Sequence, residues 1–249
     1  MKQTYNPDFY VRLKEIEENN FWFHNRNELI VWALQKYFPH AKNFFEIGCG
    51  TGFVLQGIQN RYPQLELHGS EILGAGLEAA AGRLQGVHLF EMDAKNIPYQ
   101  NTFDVIGAFD VIEHVEEDEK VLSECFKAVR PQGGLLLAVP QHRFLWSYFD
   151  EHSHHVRRYE RSELITKVEQ AGFKVILTTS FVSLLLPGLM LARRKKRPIT
   201  NDLEILDDLK VGPLTNSLLK TTFAVERSLI RAGFSFPAGS SLLLAAIKN

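Results

Sequence analysis

Cysteine is scarce in this chain: Cys49 and Cys125 are the only two among 249 residues, and they sit in unrelated segments. Neither a disulfide framework nor a cysteine zinc site can be built from them, so a reducing, cytoplasmic setting is expected. An excess of charge of one sign is also lacking. Lys and Arg number 28 against 29 Asp and Glu, a formal net charge of −1, so nothing draws the whole molecule toward nucleic acid, although local basic patches stay open. Long apolar runs are missing as well. The longest, Phe181 to Ala192, is broken by Ser183, Pro187 and Gly188 and falls short of the ~20 residues a spanning helix needs. The opening MKQTYNPDFYVRLKEIEENN is charged throughout and has no apolar h-region, which speaks against a secretory signal. Neither an internal repeat nor a low-complexity tract is found.

What is present is an ordinary globular mix, 45% hydrophobic and 23% charged, long enough for one α/β domain with an elaboration or for two small domains. Two helical patterns come first, Pro7–Asn19 and Arg26–Phe38, the second stopped by Pro39. From residue 43 short apolar runs alternate with helical windows. Strands are expected at Asn43–Ile47, Glu66–Ser70, Val87–Phe90, Phe103–Phe109 and Leu135–Val139, with helices at Phe53–Tyr62, Ala75–Arg83 and Asp118–Val129. That rhythm implies parallel pairing in a doubly wound sheet. A further helix, Ser162–Ala171, has Ser162 as a plausible N-cap and Gly172 at its close, and leads to strand Phe173–Thr179. The last strand, Leu242–Ile247, follows a long segment with the basic run Arg193 to Arg197 and a helical stretch near Leu214–Ile230. The expected organisation is an N-terminal helical cap over residues 1–40 and one domain over 41–249. Residues 181–238 form an insertion over the ligand edge of the sheet.

The sharpest signal is Phe44-Phe45-Glu46-Ile47-Gly48-Cys49-Gly50-Thr51-Gly52-Phe53, a buried strand running into three glycines and then a helix. Glycine there permits a tight turn and lets a ligand approach bare backbone. In open α/β sheets the ligand lies beyond the carboxyl ends of the strands. A nicotinamide-cofactor turn, G-x-G-x-x-G, would need glycine at 53, where Phe53 stands. A Walker loop is excluded because no Gly-Lys-Ser/Thr follows. Glu46, just before the first glycine, is foreign to a pyrophosphate site and suits a ligand carrying positive charge. Glu71 lies near the twenty-residue offset at which a carboxylate takes ribose hydroxyls, the alternative being a solvated acid at a helix start.

These residues resemble the class I S-adenosylmethionine-dependent methyltransferases. Glu46 to Gly52 is similar to their first motif, and the resemblance continues in order. It runs through Gly69-Ser70-Glu71-Ile72, Met92-Asp93-Ala94, Phe103 to Ile106 with Phe109 to His114, and Pro131-Gln132-Gly133-Gly134. A bacterial subgroup of lipid, quinone and polysaccharide pathways is closer still, through Phe21-Trp22-Phe23 with Arg26, Pro140-Gln141-His142 and His155 to Tyr159. The resemblance implies a Rossmann-like, mostly parallel seven-stranded sheet of order 3-2-1-4-5-7-6. It implies S-adenosylmethionine bound by Glu46, Gly48, Cys49, Gly50, Gly52, Glu71 and Ile72, with Asp93 and Ala94 at adenine and Phe109 and Asp110 near the methionyl group. Asp93 could instead cap a turn before Pro98, and Asp110 the segment leading to His114.

Methyl transfer from a sulfonium is an in-line displacement for which the protein positions the donor and, for an oxygen or nitrogen acceptor, removes a proton. His142, beyond the fifth strand, is the expected base. His114, Trp146 and Arg157 are expected to face the acceptor, with Arg157 and Arg158 either recognising an anion or pinning their loop. Asp150 to His155 groups carboxylate and imidazole, but Arg157 and Arg158 follow directly, so no metal is expected there. The expected acceptor is a small or lipid-linked molecule methylated at oxygen. Residues 184–197, apolar and then basic, fit either contact with an anionic bilayer or a helix packed on the core, and the core reading is preferred. A nucleotide-cofactor oxidoreductase and a non-catalytic cofactor-binding module are the rivals.

Overall fold

The computed structural model describes residues 7–193 and 202–249. Seven strands form one sheet: β1 (Asn43–Ile47), β2 (Glu66–Glu71), β3 (His88–Glu91), β4 (Phe103–Phe109), β5 (Val129–Pro140), β6 (Lys174–Phe181) and β7 (Ser241–Ile247). Their spatial order is β3-β2-β1-β4-β5-β7-β6. The first five pair in parallel, and β7 runs antiparallel to both β5 and β6. The expected Rossmann-like sheet is what the chain forms.

Alternation along the strands builds two apolar layers. On one face Phe44, Val105, Leu136 and Leu243 pack with Leu29 and Ile30 of α2 (Phe21–Tyr37) and with Val54 and Leu55 of α3 (Phe53–Arg61). On the other, Phe45, Ile106, Leu137 and Leu244 meet Val121 and Leu122 of α5 (Asp118–Ala128) and Leu164 and Val168 of α7 (Arg161–Gln170). Helices α1 (Pro7–Asn19), α4 (Gly74–Ala81) and α6 (Tyr148–His152) complete the part before β6.

Several boundaries differ from the sequence pattern for identifiable reasons. Helix α2 begins at Phe21 rather than Arg26, because the Asn20 side chain accepts the Trp22 amide at 2.8 Å and caps it. Helix α7 is capped by Glu160 in a reciprocal box with Glu163, not by Ser162, and closes before Gly172 at φ +107°. Strand β5 starts six positions before the expected Leu135. Val129 pairs with Phe103 ahead of an irregular step in register, and the polar Arg130 to Gly133 carry no strand pattern.

The segment between β6 and β7 divides into α8 (Leu186–Arg193), α9 (Asp202–Asp208) and α10 (Pro213–Arg231). Helix α10 lies along α2, with Arg227 donating to Asn25 at 2.5 Å and Phe223 fully buried in the first layer. It therefore covers a face of the sheet, not its ligand edge. Helix α9 takes the edge position. Leu206, 1% exposed, joins Ile16, Phe23 and Phe53 in a small cluster over the glycine turn. Arg12–Asp207 and Tyr148–Asp208 contacts hold α9 there at 2.5 and 2.6 Å. Of the basic run, residues 194–197 lie outside the described residues.

Candidate active site

The glycine turn sits between β1 and α3, and all three glycines need left-handed backbone: Gly48 at φ +66°, Gly50 at +52° and Gly52 at +77°. They are not equivalent. A Cβ on Gly48 would come within 2.6 Å of Val111, and one on Gly52 within 2.7 Å of Leu84, so both are bare because neighbours press on them. A Cβ on Gly50 would meet nothing within 4 Å, which leaves its backbone facing open space. Cys49 is buried, and burial beside Glu46 and Glu71 pushes its thiol up, so it is a filler and not a nucleophile.

Glu46 ends β1 almost fully enclosed, at 3% exposure. Burial drives its carboxyl well above the usual range, against the pull of Arg26 and a hydrogen bond from the Leu55 backbone, while Oε2 has no partner. Across the turn, Glu71 accepts the Gly50 amide at 3.1 Å on Oε2, and the Ile72 and Leu73 amides at 2.8 and 3.3 Å on Oε1. Its carboxylate therefore holds the turn as well as ending β2, which leaves Oε2 the freer oxygen for a hydroxyl donor. The neighbouring Ser70 hydroxyl is buried without a partner, and Ile72 is exposed. Asp93 accepts the Lys95 amide at 2.9 Å, the turn geometry weighed as its alternative, and the Ala94 side chain is buried. The Phe109 ring stacks on Phe44 in the core, with ring centroids 6.5 Å apart.

Beyond β4, Asp110 takes φ +57° and its carboxylate meets Arg26, which reaches over from α2. Arg26 also lies 4.6 Å from the Trp22 ring centroid, a cation–π contact within the N-terminal motif. Sequence reasoning assigned Arg26 no role, although the Phe21-Trp22-Phe23 spacing pointed to it. A second link was not visible at all. Glu17 of α1 accepts from the Thr51 hydroxyl at 2.6 and 2.7 Å and from Arg83 at 2.7 Å, tying the cap to the turn.

Beyond β5, Gln141 is 1% exposed with both amide atoms unpartnered. His142, also at positive φ (+65°), shares Nδ1 with Glu160 at 3.1 Å and keeps Nε2 buried and unpartnered. The Glu160 carboxylate thus fixes the orientation of the imidazole ring. Glu113 is fully buried with both oxygens unpartnered, and one ligand atom each of Glu113, His114 and His155 lies within 4.8 Å of the others. Trp146 and Arg157 line a groove of about 910 Å³ together with the Glu116 to Lys120 segment and Arg143. There Arg157 pairs with Asp118 at 2.7 Å and hydrogen-bonds the Glu116 carbonyl at 2.9 Å, which pins its loop, and Trp146 is 40% exposed. Glu46, Glu71 and the glycines meet at the turn, and Arg26 connects Asp110 to them; His114 groups with Glu113 and His155, His142 with Glu160, and Trp146 and Arg157 line the groove.

Residues 17–178 match the methyltransferase-domain family. The chain belongs to that family. A relative in Mycolicibacterium smegmatis, named as a probable S-adenosylmethionine-dependent methyltransferase, is 28% identical over 167 residues, 64% of this chain and 62% of its own length. The chain thus spans less than two thirds of that relative. A ubiquinone biosynthesis O-methyltransferase of Idiomarina loihiensis is 21% identical over 62% of this chain and 70% of its own. Among solved structures, phosphoethanolamine N-methyltransferase 2 of Haemonchus contortus, in complex with S-adenosyl-L-methionine, overlays with a TM-score of 0.66 at 19% identity. That overlay covers 99% of this chain and 58% of that one. It shows a shared class I methyltransferase fold. Neither rival reading, oxidoreductase or non-catalytic module, finds support in these matches.

Proposed function

We propose that this methyltransferase-family chain moves a methyl group from S-adenosylmethionine to the oxygen of a small-molecule or lipid-linked acceptor. The observation that carries the reading is the enclosed Glu46 carboxyl, with a free oxygen, beside a Gly50 backbone that faces open space. An enclosed acid with an unused acceptor fits a cationic ligand and would be costly without one. The family match and the quinone O-methyltransferase among the relatives support the same reading.

Bound there, S-adenosylmethionine supplies an activated methyl, its carbon–sulfur electron pair staying on sulfur as the new carbon–oxygen bond forms. Glu46 would hold the methionyl ammonium and the backbone of Gly48 and Gly50 would face the methionyl carboxylate. Glu71 would take a ribose hydroxyl, and Asp93, with Ile72 nearby, would serve the adenine. His142 Nε2 would take the acceptor hydroxyl proton while Nδ1 keeps its own proton and donates it in a hydrogen bond to the Glu160 carboxylate. Helices α1, α2 and α9 exclude water above the turn, where Leu206 and Phe23 close on Phe53. Exposed Leu184, Met190 and Leu191 favour an additional contact with a bilayer that carries an apolar acceptor. Co-sedimentation with anionic liposomes at low salt tests that part, and failure to pellet removes it.

Calorimetric titration with S-adenosylmethionine and S-adenosylhomocysteine tests the rest, followed by transfer of labelled methyl to a panel of phenols, catechols and long-chain alcohols. Binding of both nucleosides and methyl ether formation are expected. No binding of either would end the reading.

A further inference from the structure

We propose that Glu113, His114 and His155 form a binding site for one divalent first-row transition-metal ion, separate from the residues assigned to the nucleoside. Two imidazoles and one carboxylate are a ligand set for zinc-like ions, and three protein ligands leave a coordination position open. The decisive group is Glu113. It is 0% exposed, and neither carboxylate oxygen finds a hydrogen-bond partner in another residue. A buried carboxylate with both oxygens unused is rare unless something that is not protein completes it.

Arg26 and Arg158, the two cations whose charge reaches Glu113, donate no hydrogen bond to it. Arg26 meets Asp110, and Arg158 donates to Asp150 at 2.7 Å and to the Gln141 carbonyl at 3.0 Å. The neighbouring cations that spoke against a metal in the sequence are therefore engaged: Arg158 with Asp150, and Arg157 with Asp118 on the groove side.

The two imidazoles are held as ligands are held. His155 shares Nδ1 with the buried Asp150 at 2.9 Å, the carboxylate–histidine arrangement that fixes a tautomer and leaves Nε2 to coordinate. His114 stands edge-on to His155 with ring centroids 4.8 Å apart, and its ring hydrogen-bonds the backbone at Ser153 and His154. The Val156 amide donates to the Glu113 carbonyl at 2.8 Å and clamps the two segments together. Glu113 is enclosed, His155 half-buried and His114 exposed, so the trio has a closed floor and an open mouth through which an ion can enter.

Cobalt(II) titration of the chelator-stripped protein tests this, read by visible d–d absorption and by calorimetry, with zinc(II) as competitor. One ion per chain is expected, with intensified low-symmetry bands, a Kd of about 1 µM or tighter, and displacement by zinc. Asp150→Asn should weaken binding ~10- to 100-fold, as loss of an outer-shell partner does. His155→Ala and Glu113→Gln should abolish the bands. S-Adenosylhomocysteine binding by the same preparations separates a lost metal site from a lost nucleoside site or a misfolded chain. His114→Ala, at an exposed position, keeps the test decisive if a buried variant does not fold. A cobalt spectrum that stays that of the free aqua ion in wild type overturns the proposal. So does unchanged cobalt affinity in folded His114→Ala.

Discussion

Replacing Glu46 by Gln changes one atom and separates the ligand's demands from the fold's. The side chain keeps its volume and an oxygen for the Leu55 backbone, but loses the negative charge beside the open turn. If that charge meets the methionyl ammonium, the variant loses a charge-assisted hydrogen bond, about 1.5–3 kcal/mol. That corresponds to a Kd about 10- to 150-fold weaker. S-Adenosylmethionine and S-adenosylhomocysteine share the ammonium and should suffer alike. Stability should move the other way. Burial holds the Glu46 carboxyl well above its unfolded value, so its contribution favours folding at low pH and is lost as pH rises through the folded pKa. At neutral pH the ionised carboxylate is the costly form, and Gln removes that cost. The unliganded variant should melt at or above the wild-type temperature, with a flatter pH dependence. Parallel calorimetry and thermal melts decide it. Wild-type affinity in Glu46→Gln, or a variant whose melting point falls together with its affinity, would refute the assignment of Glu46 to the ligand.

Gly50 and Gly48 of the turn should respond in opposite proportion. Gly50→Ala places a methyl in open space at φ +52°. Its strain of about 1–2 kcal/mol is modest, while nucleoside binding should fall at least ~10-fold because the methyl occupies the cradle. Gly48→Ala adds a 2.6 Å clash with Val111 to a similar backbone penalty and should melt lower than Gly50→Ala, which a side-by-side melt will check. Asp118, 2% exposed, is ringed by Arg157, Lys167 and Tyr159 at 2.7 Å each. Burial would raise its carboxyl, but these partners more than offset that and hold it below the ordinary value. Its stabilisation is present above an unfolded pKa of about 3.9 and is lost as pH falls through the lower folded value. Asp118→Ala should cost about 3 kcal/mol, a melting shift of about 6–12 °C at neutral pH, with the gap to wild type closing in acid. A constant gap across the acid range would count against that account.

Why some of this was legible in the chain and some was not follows from where each interaction closes. The strand–glycine–helix turn is local: Gly48, Gly50 and Gly52 all need backbone that other residues resist, so the sequence displays the requirement directly. The strands alternate for the same reason, since Phe44 and Phe45 must bury in opposite layers. Caps were less readable because Glu160, not Ser162, reaches its box partner Glu163. Phe109 shows the limit of a motif, which marks a position but not the direction of a ring that here stacks on Phe44. The remainder depends on pairs far apart in the chain. Arg26 finds Asp110, Glu17 finds Thr51 and Arg83, and His155 comes to Glu113 only after the segment bearing Asp150 folds back. No periodicity encodes such meetings. The meetings of Arg26 and Glu17 accompany the packing of α1, α2 and α9 on Phe53. The turn and the strand ends can therefore be read from the sequence, whereas the cap depends on partners that meet only in the folded molecule.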